Sequence, residues 1–218
     1  MDITFSYLID MFLHLDKYLG AVINNYGFET YLILFAIIFL ETGLVVTPFL
    51  PGDSLIFAAA TFAVLGSLNI YILVPVLIVA AILGDTANYE IGRIFGNKLI
   101  KIGGGRLIKQ EHLDKTNSFY EKYGGKTIII ARFVPIVRTL APFVAGIGKM
   151  TYKNFITFNA MGGVLWVVSV SACGYFFGNI PIVKDNFSIV VIVIVLISIM
   201  PAVIEILRSK LKKTNEIA

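Results

Sequence analysis

The sequence predicts an all-α polytopic membrane protein, a helical bundle in which two opposed re-entrant hairpins stand in an inverted-repeat arrangement. Three observations predict it: a composition too apolar for water, apolar residues gathered into long blocks, and two blocks broken by proline, glycine and charge. Of 218 residues, 57% are hydrophobic and 15% charged, whereas an ordinary soluble domain carries roughly 25% charged residues. A water-soluble core of this size could not hide that much apolar surface.

The blocks run from Tyr31 to Leu40, Leu55 to Leu68, Ile70 to Leu83, Thr127 to Ile147, Phe155 to Phe177 and Phe187 to Leu207. With flanking small residues, each approaches the roughly 17–25 apolar residues a helix needs to cross about 30 Å of hydrocarbon. Ahead of them, residues 1–27 read as an interfacial amphipathic helix. Met1 to Gly20 lack the basic start of a cleavable signal, and Asp2, Asp10, His14 and Asp16 interrupt a helical rhythm of Phe5, Leu8, Ile9, Phe12 and Leu13. Residues 28–207 then form the transmembrane domain and 208–218 a basic tail. The lone Cys173 sits within an apolar block, which predicts a small buried filler and no disulfide framework.

Charge gives orientation. Arg93, Lys98, Lys101, Arg106, Lys109, Lys115, Lys122 and Lys126 crowd one stretch against Glu111, Asp114 and Glu121, and Arg208, Lys210, Lys212 and Lys213 follow the last block. The positive-inside rule places both segments in the cytoplasm. It also explains the net charge of +4 without a nucleic-acid partner. With both segments inside, the blocks at 155–177 and 187–207 supply two crossings, so the block at 127–147 must return to its own side. Arg132, Pro135, Arg138, Pro142, Gly146 and Gly148 break it up. Irregular backbone at membrane depth survives only where protein or a watery cavity covers it. A re-entrant hairpin over about 127–149 follows.

The first half shows the same device over about 41–66. Glu41, Thr42 and Gly43, then Thr47-Pro48-Phe49-Leu50-Pro51-Gly52-Asp53, interrupt the apolar run. Tyr26-Gly-x-x-Thr30 matches Tyr123-Gly-x-x-Thr127, and the same offset lays Glu41-Thr42 on Arg138-Thr139. Thr47-Pro-Phe resembles Ala141-Pro-Phe only after a small gap. Paired Gly/Pro-interrupted segments point to a transporter built from inverted halves with its site between them.

Glu41, Asp53, Arg132 and Arg138 all lie within apolar stretches, where each costs on the order of 2.5–3.5 kcal/mol at a helix centre. They could simply pair into buried salt bridges that pin the hairpins. The functional reading is a water-accessible cavity in which arginine's fork holds a phosphate or carboxylate and an acid carries a proton. A carboxylate beside an anion site repels it unless protonated, so proton coupling follows naturally. Supporting residues are Pro48, Pro51, Gly52, Pro135 and Pro142 at the breaks, and Asp85, Tyr89 and Arg93 in Gly84-Asp-x-x-Asn-Tyr-Glu-x-Gly92-Arg93. In that motif Gly84, Asn88 and Gly92 share a helical face, a spacing that ordinarily lets helices approach closely. Gly103-Gly-Gly105 lacks the strand-loop-helix setting of a phosphate loop and reads as a turn. Phe119, Tyr120 and Tyr123 among Lys115, Lys122 and Lys126 suit a helix near anionic headgroups.

Taken together, Glu41-Thr-Gly-Leu-Val-Val-Thr-Pro-Phe-Leu-Pro-Gly-Asp53-Ser, the Gly84–Arg93 motif, Phe119-Tyr-Glu-Lys-x-Gly-Gly-Lys-Thr127 and Ala131-Arg-Phe-Val-Pro-Ile-Val-Arg-Thr139 with Pro142-Phe-Val-Ala-Gly146 resemble the bacterial DedA family. The resemblance covers essentially the whole chain. It implies kinship with the SNARE-associated, or VTT-domain, membrane proteins. Members of that group are implicated in moving lipids such as undecaprenyl phosphate between leaflets and in dependence on the proton-motive force. The resemblance also implies that two acids and two arginines are needed, at Glu41, Asp53, Arg132 and Arg138. The expected function is thus a flippase or scramblase for a phosphate-bearing lipid in the bacterial inner membrane. Its partners are lipids with anionic headgroups and protons, with no cofactor or metal, and a homo-oligomer stays open.

Two other classes compete. An intramembrane hydrolase needs a nucleophile and a base, yet the histidines, His14 and His112, lie outside the spanning blocks and no Gly-x-Ser-x-Gly occurs. A proton-coupled exporter of small cations or drugs would use the same acids, but fixed arginines in the cavity repel cations. A pure scaffold would tolerate loss of all four charges.

Overall fold

A computed structural model describes residues 15–44, 52–103 and 120–178, with isolated positions at 116, 180, 181, 183, 189, 190 and 193. Residues 1–14, the stretch 45–51 with Pro48 and Pro51, most of the basic loop, most of the last apolar block and the basic tail lie outside these. Among the described residues every regular element is helical. In order they are α1 (Leu15–Tyr26), a 3-10 turn (Gly27–Glu29), α2 (Thr30–Gly43), α3 (Gly52–Val64), α4 (Ile70–Gly103), a second 3-10 turn (Gly124–Lys126), α5 (Thr127–Ala131), α6 (Pro135–Ile147) and α7 (Tyr152–Phe177).

Three stretches are long and apolar enough to cross a membrane: Lys17–Gly43, Ile70–Gly96 and Tyr152–Phe177. Their outward faces carry Leu32, Tyr71, Leu83, Ile94, Leu165 and Phe176, all exposed. A helix facing water would be polar there; one facing lipid need not be. Residues Gly52–Val64 and Val137–Ile147 form shorter apolar helices. Helix α2 ends at an extended Leu44, and a second break in the helices lies just ahead of α6. The second break is dictated locally: Val134 is extended (φ −120°, ψ 105°) and Pro135 opens α6, because a proline pushes the preceding residue out of the helical region and is itself favoured at a helix start.

The two Tyr-Gly-x-x-Thr motifs fold alike. Gly27 and Gly124 have φ of 50° and 57°, the left-handed region that glycine enters freely. A 3-10 turn follows each, and a helix starts at Thr30 and at Thr127.

Helix α4 is the hub, packed on α2, α6, α7 and α3. Its glycines explain how closely. A Cβ on Gly84 would lie 1.9 Å from Thr42 Oγ1 of α2, and one on Gly92 2.2 Å from the Phe143 carbonyl oxygen of α6. The shared face read from the sequence therefore serves close helix approach. Two of the apolar clusters flank the middle of α4. One gathers Leu34, Ile38, Ile56, Leu73, Leu77 and Trp166; the other gathers Tyr89, Ile128, Val137, Ala141 and Phe155. Asp85 and Asn88 fall between them, so a polar layer crosses the bundle.

Cys173 corrects an expectation. It is exposed on α7, not a buried filler, because Ser171 and Gly174 turn inward and Gly174 abuts the Phe57 carbonyl of α3. That leaves Cys173 on the outer side of the helix.

Candidate functional site

The polar layer is built from charges that the breaks deliver. Glu41 ends α2, Asp53 lies in the first turn of α3, Arg132 caps the C-terminal end of α5 and Arg138 lies one turn into α6. Asp85 comes from the middle of α4. A helix N-terminus favours carboxylates, and here it receives two. Asp53 belongs to the start of α3, and the Glu41 carboxylate lies so close to Gly52 that any Cβ there would collide with it.

Arg138 holds both acids. Its Nη2 donates to Glu41 Oε1 at 2.9 Å, and its Nη1 donates to Asp53 Oδ2 and Oδ1 at 3.1 and 3.2 Å. Glu41 is 1% exposed, while the Asp53 side chain is 23% exposed. Asp53 is therefore where this group reaches the outside. Glu41 Oε2 finds no hydrogen-bond partner among the described residues.

Arg132 belongs to a second, deeper group. Its Nη2 donates to Asp85 Oδ2 at 2.6 Å and to Asn159 Oδ1 of α7. The side chains of Arg132 and Asp85 are 2% and 4% exposed. The Asn159 amide is aimed by its other end, where Nδ2 donates to the Ile82 carbonyl at 3.0 Å. Arg132 Nε and Nη1 are buried without a partner among the described residues.

Trp166 joins the two groups. Its indole N–H donates to Asp53 Oδ1 at 2.7 Å. Its ring lies 5.4 Å from the Arg138 guanidinium carbon and 5.7 Å from that of Arg132, within range of a cation–π attraction. Beside them the Asn88 amide donates to the Thr42 carbonyl at 3.1 Å and the Thr139 carbonyl at 2.9 Å. It thereby ties the end of α2 to the part of α6 that Pro142 disturbs. Pro142 has no N–H to offer the Arg138 carbonyl four residues before it.

Of the residues singled out in the sequence, Glu41, Asp53, Asp85, Arg132 and Arg138 meet in this layer, with Gly52 against Glu41. Two do not. Arg93 is half exposed and pairs with Glu90 at 3.2 Å on the surface, and Tyr89 stacks on Phe155 with its hydroxyl on the Met150 carbonyl. Asn88, Asn159 and Trp166 were not singled out for the site; an asparagine within the apolar Phe155–Phe177 block, and the chain's one tryptophan, were the available signals. Among the described residues no group of three His, Cys, Asp or Glu could hold a metal ion.

Chemically the layer offers two guanidiniums beside three carboxylates inside an apolar bundle. Guanidinium forks bind phosphate or carboxylate oxygens in pairs, and the carboxylates can exchange protons or a counter-ion.

The VTT domain model matches residues 28–176, which spans every charge just described. Protein DedA of Escherichia coli (strain K12) is 52% identical over 212 residues, 96% of this chain and 96% of that protein. An uncharacterized membrane protein of Mycobacterium leprae (strain TN) is 42% identical over 168 residues, 77% of this chain and 75% of its own length. The inner membrane protein YghB of Escherichia coli (strain K12) is 34% identical over 156 residues, 72% of this chain and 71% of its own. No solved structure matches.

Proposed function

The chain belongs to the VTT-domain family of membrane proteins, and on that premise we propose that it is a transporter moving a phosphate-bearing lipid, undecaprenyl phosphate or a phospholipid, between leaflets. The observation that carries this reading is the pair of buried guanidiniums at the Trp166 ring, one with two nitrogens unpartnered among the described residues. Leaving charged donors buried and unsatisfied is costly. A phosphate group entering the layer would offer those donors oxygens.

On this reading the stretches 41–66 and 127–149 are the two re-entrant hairpins, opposed across the layer. The protein sits in the bacterial cytoplasmic membrane with its basic loop and tail inside. It performs no covalent chemistry. Exchange of Arg138 between its two carboxylates and the lipid phosphate couples phosphate binding to proton uptake. Export of a small cation is the competing reading, and the excess of one carboxylate over the guanidiniums speaks for it. Against it, both arginines lie in the layer and repel a cation.

Proteoliposomes of defined lipids test the proposal. Purified protein is expected to move a labelled phosphate-bearing lipid between leaflets, with a rate that responds to an imposed pH gradient. A phosphate-free diacylglycerol analogue should show no protein-dependent acceleration. No acceleration for any phosphate lipid, together with protein-dependent cation flux, would replace this function by the cation exporter.

A further inference from the structure

Resting on the phosphate reading above, we infer that Asp85 is the resident anion of Arg132, a placeholder carboxylate that the lipid phosphate displaces. The contact is built as a partial one. Asp85 meets Arg132 through a single nitrogen, Nη2, which Asn159 shares, while Nε and Nη1 stay unpartnered among the described residues. Arginine presents five N–H donors in a planar fork, and a two-nitrogen, two-oxygen pairing is its strong mode. A phosphate has more oxygens than the carboxylate and, once Asp85 leaves Nη2, could bridge Nη2 with Nε or with Nη1, the two-nitrogen pairings that Asp85 does not make.

The surroundings keep the guanidinium in place during such an exchange. It lies against Gly162 and Gly163 of α7: a Cβ on Gly162 would stand 3.2 Å from Arg132 Cδ and Nε, and one on Gly163 3.5 Å from Nη2. Two glycines in succession leave a slot that side chains would fill. Asn159 holds Nη2 from the same helix with a neutral oxygen, so it does not compete by charge with an entering anion. Asp85 does, and it sits on α4, a different element, where it can be left behind.

The chain's one tryptophan supplies a readout independent of transport. Trp166 lies beside both guanidiniums, so its emission should respond when the charges around it exchange. Full-length protein in detergent is titrated with dihexanoyl phosphatidic acid, with dihexanoylglycerol as the phosphate-free control. Asp85→Asn keeps the shape and removes the competing charge. It should lower the half-saturating concentration at least tenfold, and adding Arg132→Gln to it should erase that gain. Phosphatidic acid should also raise the melting temperature of Asp85→Asn more than that of the wild type. Equal or weaker binding by Asp85→Asn overturns the placeholder role while the phosphate reading stands. If that variant does not fold, Asn159→Asp decides: a second carboxylate on Nη2 should weaken binding at least tenfold, and an unchanged half-saturation overturns the proposal. A response to dihexanoylglycerol equal to that of phosphatidic acid, or no response in wild type and Asp85→Asn alike, removes the phosphate reading and the placeholder together.

Discussion

Glu41 and Arg138 stand 97 positions apart and pair at 2.9 Å, and 97 is also the offset at which the first Tyr-Gly-x-x-Thr motif falls on the second. The next residues repeat the relationship. Thr42 and Thr139 are separated by the same offset, and both present their carbonyls to the one amide of Asn88. Two successive positions of the first stretch thus lie beside the positions 97 residues further on, one pair in direct contact and the other through Asn88. The acid in one half has become the base of the other, so the pair attracts where two copies of either residue would repel.

Arg138→Ala is expected to insert into the membrane, to lose transport and to be less stable. It strands Glu41 and Asp53 without their shared cation, and removing one partner of a buried pair costs about 3–5 kcal/mol. Arg138→Lys keeps the charge but cannot reach both acids through a planar fork, so partial transport is expected. Lipid translocation and thermal unfolding of the two variants provide the check. Undiminished transport by Arg138→Ala would eliminate an anion site there.

Packing gives a prediction free of charge effects. A methyl group at Gly92 would meet the Phe143 backbone oxygen at 2.2 Å, whereas one at Gly20 would touch the Phe62 ring at 3.5 Å, an ordinary contact. Gly92→Ala must push α4 and α6 apart, and overpacking of this kind costs about 1–3 kcal/mol. Gly20→Ala, inside α1, should be neutral or slightly stabilising. Melting temperatures of the purified variants compare the two; a Gly92→Ala protein as stable as wild type would mean the helices are not this close.

The charged residues were legible in the sequence for a plain reason: an ionisable group in an apolar run is expensive, so each one stands out by position alone. Glu41, Asp53, Arg132 and Arg138 stand out that way, and Asp85 through the Gly84–Arg93 motif. Their pairing was not legible, because it depends on how the helices rotate about their own axes. Trp166 and Asn159 were missed for that reason. The stretch Tyr152–Phe177 is apolar nearly all round, and no periodicity marks which of its faces meets Arg132. The same blindness put Cys173 inside when it lies outside. Arg93 looked like part of the site because it closes the Gly84 motif, yet two turns of helix beyond Asp85 it has left the polar layer for the surface.

The re-entrant reading of α5 and α6 is open to chemical labelling. Lys126 precedes α5 and Lys149 follows α6, so a segment that enters and returns leaves both on one side. Single cysteines at 126 and 149, in a chain with the exposed Cys173 replaced by serine, should both react with a membrane-impermeant maleimide from the same side. Reaction from opposite sides would make 127–149 a crossing segment and undo the parity on which the cytoplasmic tail rests.

The two acids around Arg138 provide the test of coupling. Arg138 spans Glu41 and Asp53 at once, and its charge faces both carboxylates. A phosphate that captures the guanidinium takes that counter-charge away. The acids must then gain protons or stay buried and uncompensated, which is the costlier state. Asp53, with about a quarter of its side chain exposed, is the one placed to exchange protons with water; Glu41 is sealed behind it. Glu41→Gln and Asp53→Asn remove the exchangeable proton while keeping size and some hydrogen bonding. Each should still bind phosphate lipid, and the double variant should transport at a rate that no longer varies with pH, where the wild-type rate rises as proton supply from the side facing Asp53 increases. Measuring translocation across a pH series in proteoliposomes separates the cases. An unchanged profile in the double variant would leave these carboxylates as fixed counter-ions and make the protein a passive scramblase, in which Arg138 binds phosphate without any proton changing hands.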